Sequence, residues 1–344
     1  MIDDPHGPTL PVSRPPAAGD GPSAGAPRAG TPSANAPGAN APRANAPRAN
    51  APRAGAPGDA RAREVPGAHV APGRPEPSAA PDVPGGSEVA DPYAWEADLY
   101  DVTTTEVSEQ DVPFYTALAA DAGGPVLELA CGTGRVLVPC AAAAGGGAGV
   151  DLSPAMLRRA SARLAAAGLN DRVELHLGDM RTVRLQRRFP LVTIPFRSMF
   201  HLADDHGWLA ALATVRAHLE PGGRFAGDVF VPDPELIAGR QDHHGFAGEV
   251  RHPDTGRRVA LWEHTSFDPV GQVALKRRVT EVLDDEGLVL ERRHRLLEVH
   301  FRYPGEVLRL LAAAGFVVEQ TFGGFDGRPL DSAAEDLIWI ARAA

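Results

Sequence analysis

The chain has 344 residues, with 34 Lys and Arg against 44 Asp and Glu and only two Cys. Two Cys exclude a disulfide framework, and no apolar stretch reaches the roughly 18 residues that a membrane span needs. Charge is uneven: residues 1–82 carry eight Arg against seven acidic residues, whereas 83–344 carry 26 basic and 37 acidic ones. A domain that acidic is not built to hold phosphate backbones.

From Ala24 to Gly58 the chain repeats every five residues, in units such as ANAPR and AGAPG. Pro in each unit removes a backbone donor and blocks helix and sheet ladders, and little apolar bulk offsets the entropy of ordering. Residues 1–88 therefore read as a disordered, extended tail and 89–344 as one folded domain. The first residues, MIDDPHGPTLPV, lack the apolar core of a signal peptide, and Cys131 and Cys140 read as free thiols, so the expected location is cytoplasmic.

Strands and helices then alternate. An amphipathic helix over 111–123 leads to a buried strand over 125–130 and a second helix over 135–144. GAGVD, 147–151, reads as a strand thin in apolar bulk, expected to be the softest of the sheet. Residues 154–168 form a strong helix, with Ser153 as N-cap, Pro154 at its first position and Gly168 beyond its end. Strands follow at 172–179 and 190–196, with Pro190 tolerable at a strand start. A helix over 207–220 stops at Pro221-Gly222-Gly223, before a strand over 224–231. This alternation implies an α/β fold, a doubly wound, mostly parallel sheet with its ligand edge at the strand carboxyl ends. Polar alternating runs from about 248 to 303 read instead as antiparallel strands, a lid inserted over about 240–303. A helix from Pro304 and two strands, FVVEQTF and DLIWIARA, end the chain, the strands as an antiparallel pair at the sheet edge.

The stretch VLELACGTGRV, 126–136, runs a strand into a glycine turn. Leu137 stands where a dinucleotide fold wants its third Gly, and Arg135-Val136 lack the Lys and Ser/Thr of a P-loop. Glu128 at the strand end would repel a pyrophosphate but suits an ammonium. Asp151, ending the second strand, is placed for ribose hydroxyls, and Asp179, after the third, for an exocyclic amine. An ammonium, a ribose and an adenine without phosphates describe S-adenosylmethionine.

With GVDLSPAML, LHLGDM, FPLVTIPFRSMFHL and VRAHLEPGGRF following in order, the chain resembles the class I S-adenosylmethionine-dependent methyltransferases over about residues 100–232. The resemblance implies a Rossmann-like, seven-stranded sheet with S-adenosylmethionine as cofactor. It places Glu128, Gly132 and Gly134 at the methionine end, with Ala130, where many members have Gly, and Arg135 beside them. Asp151 would bind ribose and Asp179 adenine, flanked by Met156 and Met180. Tyr93 and Tyr100 lie in a segment resembling the one that closes over the cofactor. Candidates to take a proton from the acceptor are His201 and Asp228, with His243, His244 and His264 reaching in from the lid. No metal-ligand spacing is present, so no metal is expected. IPFRS is not the Pro-Pro-aromatic tetrapeptide of enzymes that methylate base nitrogens. The expected acceptor is a small molecule or modified peptide, methylated on N or O, with no nucleic acid or membrane partner and a homodimer possible. The alternatives are a nucleic-acid methyltransferase using the Arg-bearing tail and a protein that binds cofactor without chemistry.

Overall fold

The computed structural model describes residues 91, 93–108, 110–238 and 245–344. The tail over 1–88, His243 and His244 lie outside them. Two helices, α1 (Tyr100–Ser108) and α2 (Asp111–Ala120), precede β1 (Val126–Leu129). Then come α3 (Leu137–Ala144), β2 (Gly147–Asp151), α4 (Pro154–Ala166), β3 (Val173–Leu177) and β4 (Phe189–Ile194). A 3-10 turn (Ser198–His201) leads to α5 (Asp205–His218), β5 (Leu219–Phe230) and the short α6 (Pro234–Ala238). The lid strands are β6 (Gly245–Arg251), β7 (Arg258–Asp268), β8 (Val273–Leu283) and β9 (Val289–His300). The chain ends with α7 (Pro304–Ala313), β10 (Phe316–Phe322) and β11 (Asp336–Ala343).

The main sheet has seven strands in the order β10-β11-β5-β4-β1-β2-β3. Strands β1 to β5 run parallel; only β11 is reversed, antiparallel to both β5 and β10. The order turns back at β1, which pairs with β2 on one side and β4 on the other. A crevice opens at such a switch point, beyond the carboxyl ends of the strands. Alternate residues along the strands feed opposite faces. Val192 and Phe225 pack with Trp208 and Leu212 of α5 and Leu311 of α7. Leu191 and Ala226 pack with Tyr115 of α2 and Cys140 of α3. Both thiols are free and buried. Ser153 caps α4, its hydroxyl accepting from the Met156 N–H at 3.1 Å. Pro190 sits where the β4–β5 register shifts, a bulge that needs no donor there. No helix among the described residues is long and apolar enough to cross a membrane.

Strand β2 differs from its sequence reading. It is thin because its neighbours occupy its space, and it lies buried between β1 and β3. A Cβ on Gly149 would come within 2.5 Å of Leu137 Cδ2 and 2.8 Å of Cys131 Sγ. Gly149→Ala is therefore expected to destabilise the domain by about 1–3 kcal/mol through overpacking. A thermal melt should show a clear drop in Tm; an unchanged Tm would mean that these neighbours yield freely.

The lid is a four-stranded antiparallel sheet, β6-β7-β8-β9, inserted between β5 and α7. Its first strand, β6, begins ahead of the alternating runs that start near residue 248, because GFAGEVR is short, Gly-bearing and bulged between Phe246 and Gly248.

Candidate active site

The site is built on the turn after β1. All four residues of β1 are buried, and a carboxylate among them, Glu128, sits between Gly149 of β2 and Thr193 of β4. The chain leaves the strand at Ala130 with φ of 59°. This left-handed conformation costs a residue with a Cβ roughly 1–2 kcal/mol. Gly132 and Gly134 follow at φ of 54° and 75°, which glycine adopts without that cost. Asp151, at the end of β2, locks the turn: its carboxylate accepts from the Gly132 N–H at 2.8 Å and the Ser153 N–H at 2.9 Å.

Glu128 is left in an unusual state. It is 2 % exposed, and its Oε2 is buried without a hydrogen-bond partner. Burial pushes its carboxyl well above the usual carboxylate range, and the nearby Arg135 offsets this only in part. A buried carboxylate with an open lone pair asks for a cationic donor. The space before it is a pocket of about 40 Å³ that Tyr100, Gly132, Arg135, Phe196 and Ser198 also line. Arg135 lines it while forking onto Asp111 of α2 through two bonds of 2.6 Å. Its guanidinium lies 4.8 Å over the Phe196 ring.

A larger cavity of about 380 Å³ continues from Ala130 past Asp151, Asp179 and Met180 to His201. Asp179 holds an ion pair with Arg181 at 2.6 Å, which keeps its carboxyl below the usual range. Met156 is not among the lining residues. It is buried with Ala97 and Ala155 beneath Tyr93 and Tyr100, because the first turn of α4 faces the 91–100 segment. The apolar wall comes instead from Leu152, 55 % exposed and part of the lining. Its signal in the sequence was an apolar residue placed directly after Asp151, in an otherwise polar turn.

The N-terminal segment is tied onto this turn. Asp91 accepts from the Ser153 hydroxyl at 2.6 Å. Asp101 accepts from the Thr133 hydroxyl at 2.7 Å and pairs with Arg163 of α4 at 2.6 Å. These contacts bring Tyr93 and Tyr100 edge to face, 5.9 Å apart. A third cavity, about 330 Å³, lies between this segment and the lid. Tyr93, His201 and Leu297 line both it and the Asp151 cavity, so they form the edge between the two. At that edge the Tyr93 hydroxyl and His201 Nε2 are 3.2 Å apart. His201 is pushed down to about 4 by desolvation first and then by the charges of Arg295, Lys276 and His300. It is a neutral imidazole at ordinary pH.

Asp228 does not face these cavities. It is 2 % exposed inside β5, and its two oxygens accept from the Tyr115 hydroxyl at 2.6 Å, the Phe196 N–H at 2.8 Å and the Arg197 N–H at 3.1 Å. Phe196 and Arg197 both have left-handed φ, 57° and 61°. Asp228 thus anchors a strained turn and positions two residues that line the site, rather than taking a proton from an acceptor. His264 is also displaced from its expected role. Glu263 and Thr265 line the lid cavities, so strand alternation turns His264 to the lid's other face.

Comparison with known proteins identifies the family. A family model described as a methyltransferase domain matches residues 126–223. The dTDP-3-amino-3,4,6-trideoxy-alpha-D-glucopyranose N,N-dimethyltransferase of Streptomyces venezuelae is 33 % identical over 205 residues, 60 % of this chain and 80 % of that protein. The chain belongs to the S-adenosylmethionine-dependent methyltransferases. Two solved structures share this methyltransferase's fold and part of its sequence. The CcbJ methyltransferase of Streptomyces caelestis is 27 % identical, with a TM-score of 0.58 over 74 % of this chain and 98 % of that one. The S-adenosylmethionine-bound amino pentose methyltransferase CalS10 of Micromonospora echinaspora is 26 % identical, with a TM-score of 0.55 over 72 % and 97 %. S-adenosylmethionine is the cofactor, and the residues present fit it. The unpartnered Glu128 oxygen suits an ammonium, and Asp151 lies beside an open apolar wall of Leu152 and Met180.

Proposed function

We propose that this methyltransferase acts on the nitrogen of a small amine, and that an amino sugar is the acceptor class. The observation that carries the reading is the edge made by Tyr93 and His201, where the Asp151 cavity meets the cavity under the lid. Bound S-adenosylmethionine supplies an electrophilic methyl on a sulfonium, with a neutral thioether as leaving group. The protein's part is to align the nucleophile and exclude water. Glu128 and the Gly132 turn hold the methionine end, Asp151 the ribose, and Asp179 with Leu152 and Met180 the adenine. The lid and the 91–100 segment close the acceptor cavity.

An amine attacks only as the free base. A histidine near 4 is too weak a base to strip a proton from an ammonium. The field that lowers His201 lowers the amine's pKa as well, so the acceptor is bound as the free base with its proton left to solvent. Arg295 and Lys276, which push down the imidazole, disfavour an ammonium bound beside it in the same way. His201 Nε2 and the Tyr93 hydroxyl then orient the neutral amine by hydrogen bonding. An alcohol would gain nothing from this field at ordinary pH, which favours nitrogen over oxygen. The relatives named as N,N-dimethyltransferase and amino pentose methyltransferase support the same choice. The acidic balance of residues 83–344 favours a small acceptor over a nucleic acid.

The test is the pH dependence of turnover with an amino-sugar acceptor. The kcat is expected to rise with pH to a plateau, with a midpoint below the pKa of the free acceptor amine. His201→Asn should keep that midpoint and lower kcat/KM about tenfold, the scale of one hydrogen bond. A midpoint at or above the free amine's value, or one abolished in His201→Asn, would overturn the reading and make His201 the base.

A further inference from the structure

Glu96 is a buried carboxylate, 5 % exposed, on the turn that carries Tyr93. Its N–H donates to the Tyr93 carbonyl at 3.1 Å. Its side chain pairs with Arg295 of β9. Arg278 of β8, 3.9 Å away, already has a carboxylate of its own in Glu263. The guanidinium of Arg295 lies 5.0 Å over the Tyr93 ring, and its Nε is buried with no hydrogen-bond partner among the described residues. The pair with Glu96 and the contact with Tyr93 are therefore what hold it. The Tyr93 ring in turn stands at 89° to that of His201, with centroids 6.2 Å apart.

Docking of the segment does not require this charge. Trp95 and Leu99 pack with Val259, Leu261 and Val282 of the lid, and Arg159 of α4 ties Asp98 to Asp254 of the β6–β7 turn. On the cofactor side, Asp91 and Asp101 bond to Ser153 and Thr133. A buried ion pair is costly to desolvate, and apolar residues of similar volume in its place are often neutral or stabilising. What the pair adds is direction. A cation is drawn to the negative face of an aromatic ring, so a guanidinium fixed in place fixes the plane of the ring beneath it. We propose that Glu96 is a positioning residue for methyl transfer, which holds Arg295 over Tyr93 and so sets the Tyr93 hydroxyl against His201 Nε2. Glu96 lies in the segment over the cofactor and Arg295 on the lid over the acceptor. The edge between the two cavities thus takes its shape only when segment and lid are docked on each other. The inference rests on the reading of that edge as the place where the amine is oriented; the chain of contacts from Glu96 to His201 stands without it.

Nitrogen NMR of the full chain, with ¹⁵N-labelled histidine and neither cofactor nor acceptor added, tests the contact chain without turnover. The His201 resonances are those missing from His201→Asn. A ring nitrogen reports its hydrogen bond, so Tyr93→Phe should move the Nε2 resonance. Glu96→Gln is expected to move it in the same direction, by about half as much or more. Asp98→Asn, which removes a carboxylate from the same segment and its pair with Arg159, should leave it in place. A resonance unmoved in Tyr93→Phe or in Glu96→Gln, or moved equally by Asp98→Asn, would overturn the proposal. Glu96→Asp keeps the charge but draws the carboxylate back by one carbon; it should shift the resonance the same way, and it carries the test if Glu96→Gln does not fold. In turnover with an amino sugar, Glu96→Gln should lower kcat by about fivefold or more, the scale of one hydrogen bond, and leave S-adenosylmethionine affinity within about twofold. Added to Tyr93→Phe, it should lower kcat by less than about twofold more, because residues that act through one another are not additive. Losses that multiply would show that Glu96 does not act through Tyr93. A resonance that moves as expected in a protein that methylates no amine would count against the functional reading alone.

Discussion

Glu128→Gln is expected to weaken S-adenosylmethionine binding at least tenfold, and Asp151→Ala by a similar or larger factor. Each loss amounts to about 1.4 kcal/mol or more. Glu128 loses a charge-assisted bond to the ammonium in a buried setting. Asp151 loses its contact with the cofactor and also the two bonds that hold the Gly132 turn and Ser153. Binding should also be linked to protons. Burial holds the empty Glu128 carboxyl well above its usual range, and a bound ammonium beside it favours the ionised form. Binding at a pH between the two values therefore releases protons. Calorimetry in two buffers of different ionisation enthalpy reads this release, and Glu128→Gln should abolish it. Unchanged affinity in both variants would remove these carboxylates from the cofactor site.

Asp228→Ala should cost about 3 kcal/mol of stability, at the lower end for a broken buried network. It leaves the Tyr115 hydroxyl and the N–H groups of Phe196 and Arg197 without an acceptor. The two left-handed residues then lose their anchor, so acceptor KM should rise as well as Tm fall. Asp228→Asn keeps the volume but offers one accepting oxygen in place of two, and should fall between. The pH dependence has a definite sign. Burial, the largest cause, pushes Asp228 up to about 6, against the pull of Tyr115, Phe196 N–H and Arg197 and with the push of Asp111. Between the ordinary aspartate value near 3.9 and about 6, the folded state holds a proton that the unfolded chain has released. The contribution of this group to stability therefore falls as pH rises through that window, and Asp228→Asn should flatten the slope. Denaturant midpoints from pH 4 to 7 measure it; identical slopes would show that Asp228 does not titrate there.

Much of this was legible in the sequence because it is local. A buried strand, a glycine turn and an acid at a strand end are each set by neighbouring residues. So are the Ser153 cap and the antiparallel closing pair. These local signals specify the main sheet and the antiparallel sheet inserted after β5. What failed depends on contacts far along the chain. Asp228 reads as a carboxylate near a pocket until the N–H groups of Phe196 and Arg197 are seen to converge on it. Met156 and Leu152 are four residues apart, and only the packing of the 91–100 segment decides which one lines the cavity. The face of His264 follows from the lid register, which the turns alone do not set.

The most direct measurement is transfer of a ¹³C-labelled methyl from S-adenosylmethionine to matched acceptors, an amino sugar and its hydroxyl counterpart, followed by carbon NMR of the products. The account predicts an N-methyl signal from the amine and no transfer to the hydroxyl compound. An O-methyl signal from either, or no transfer to any amine by protein that binds the cofactor, would contradict it.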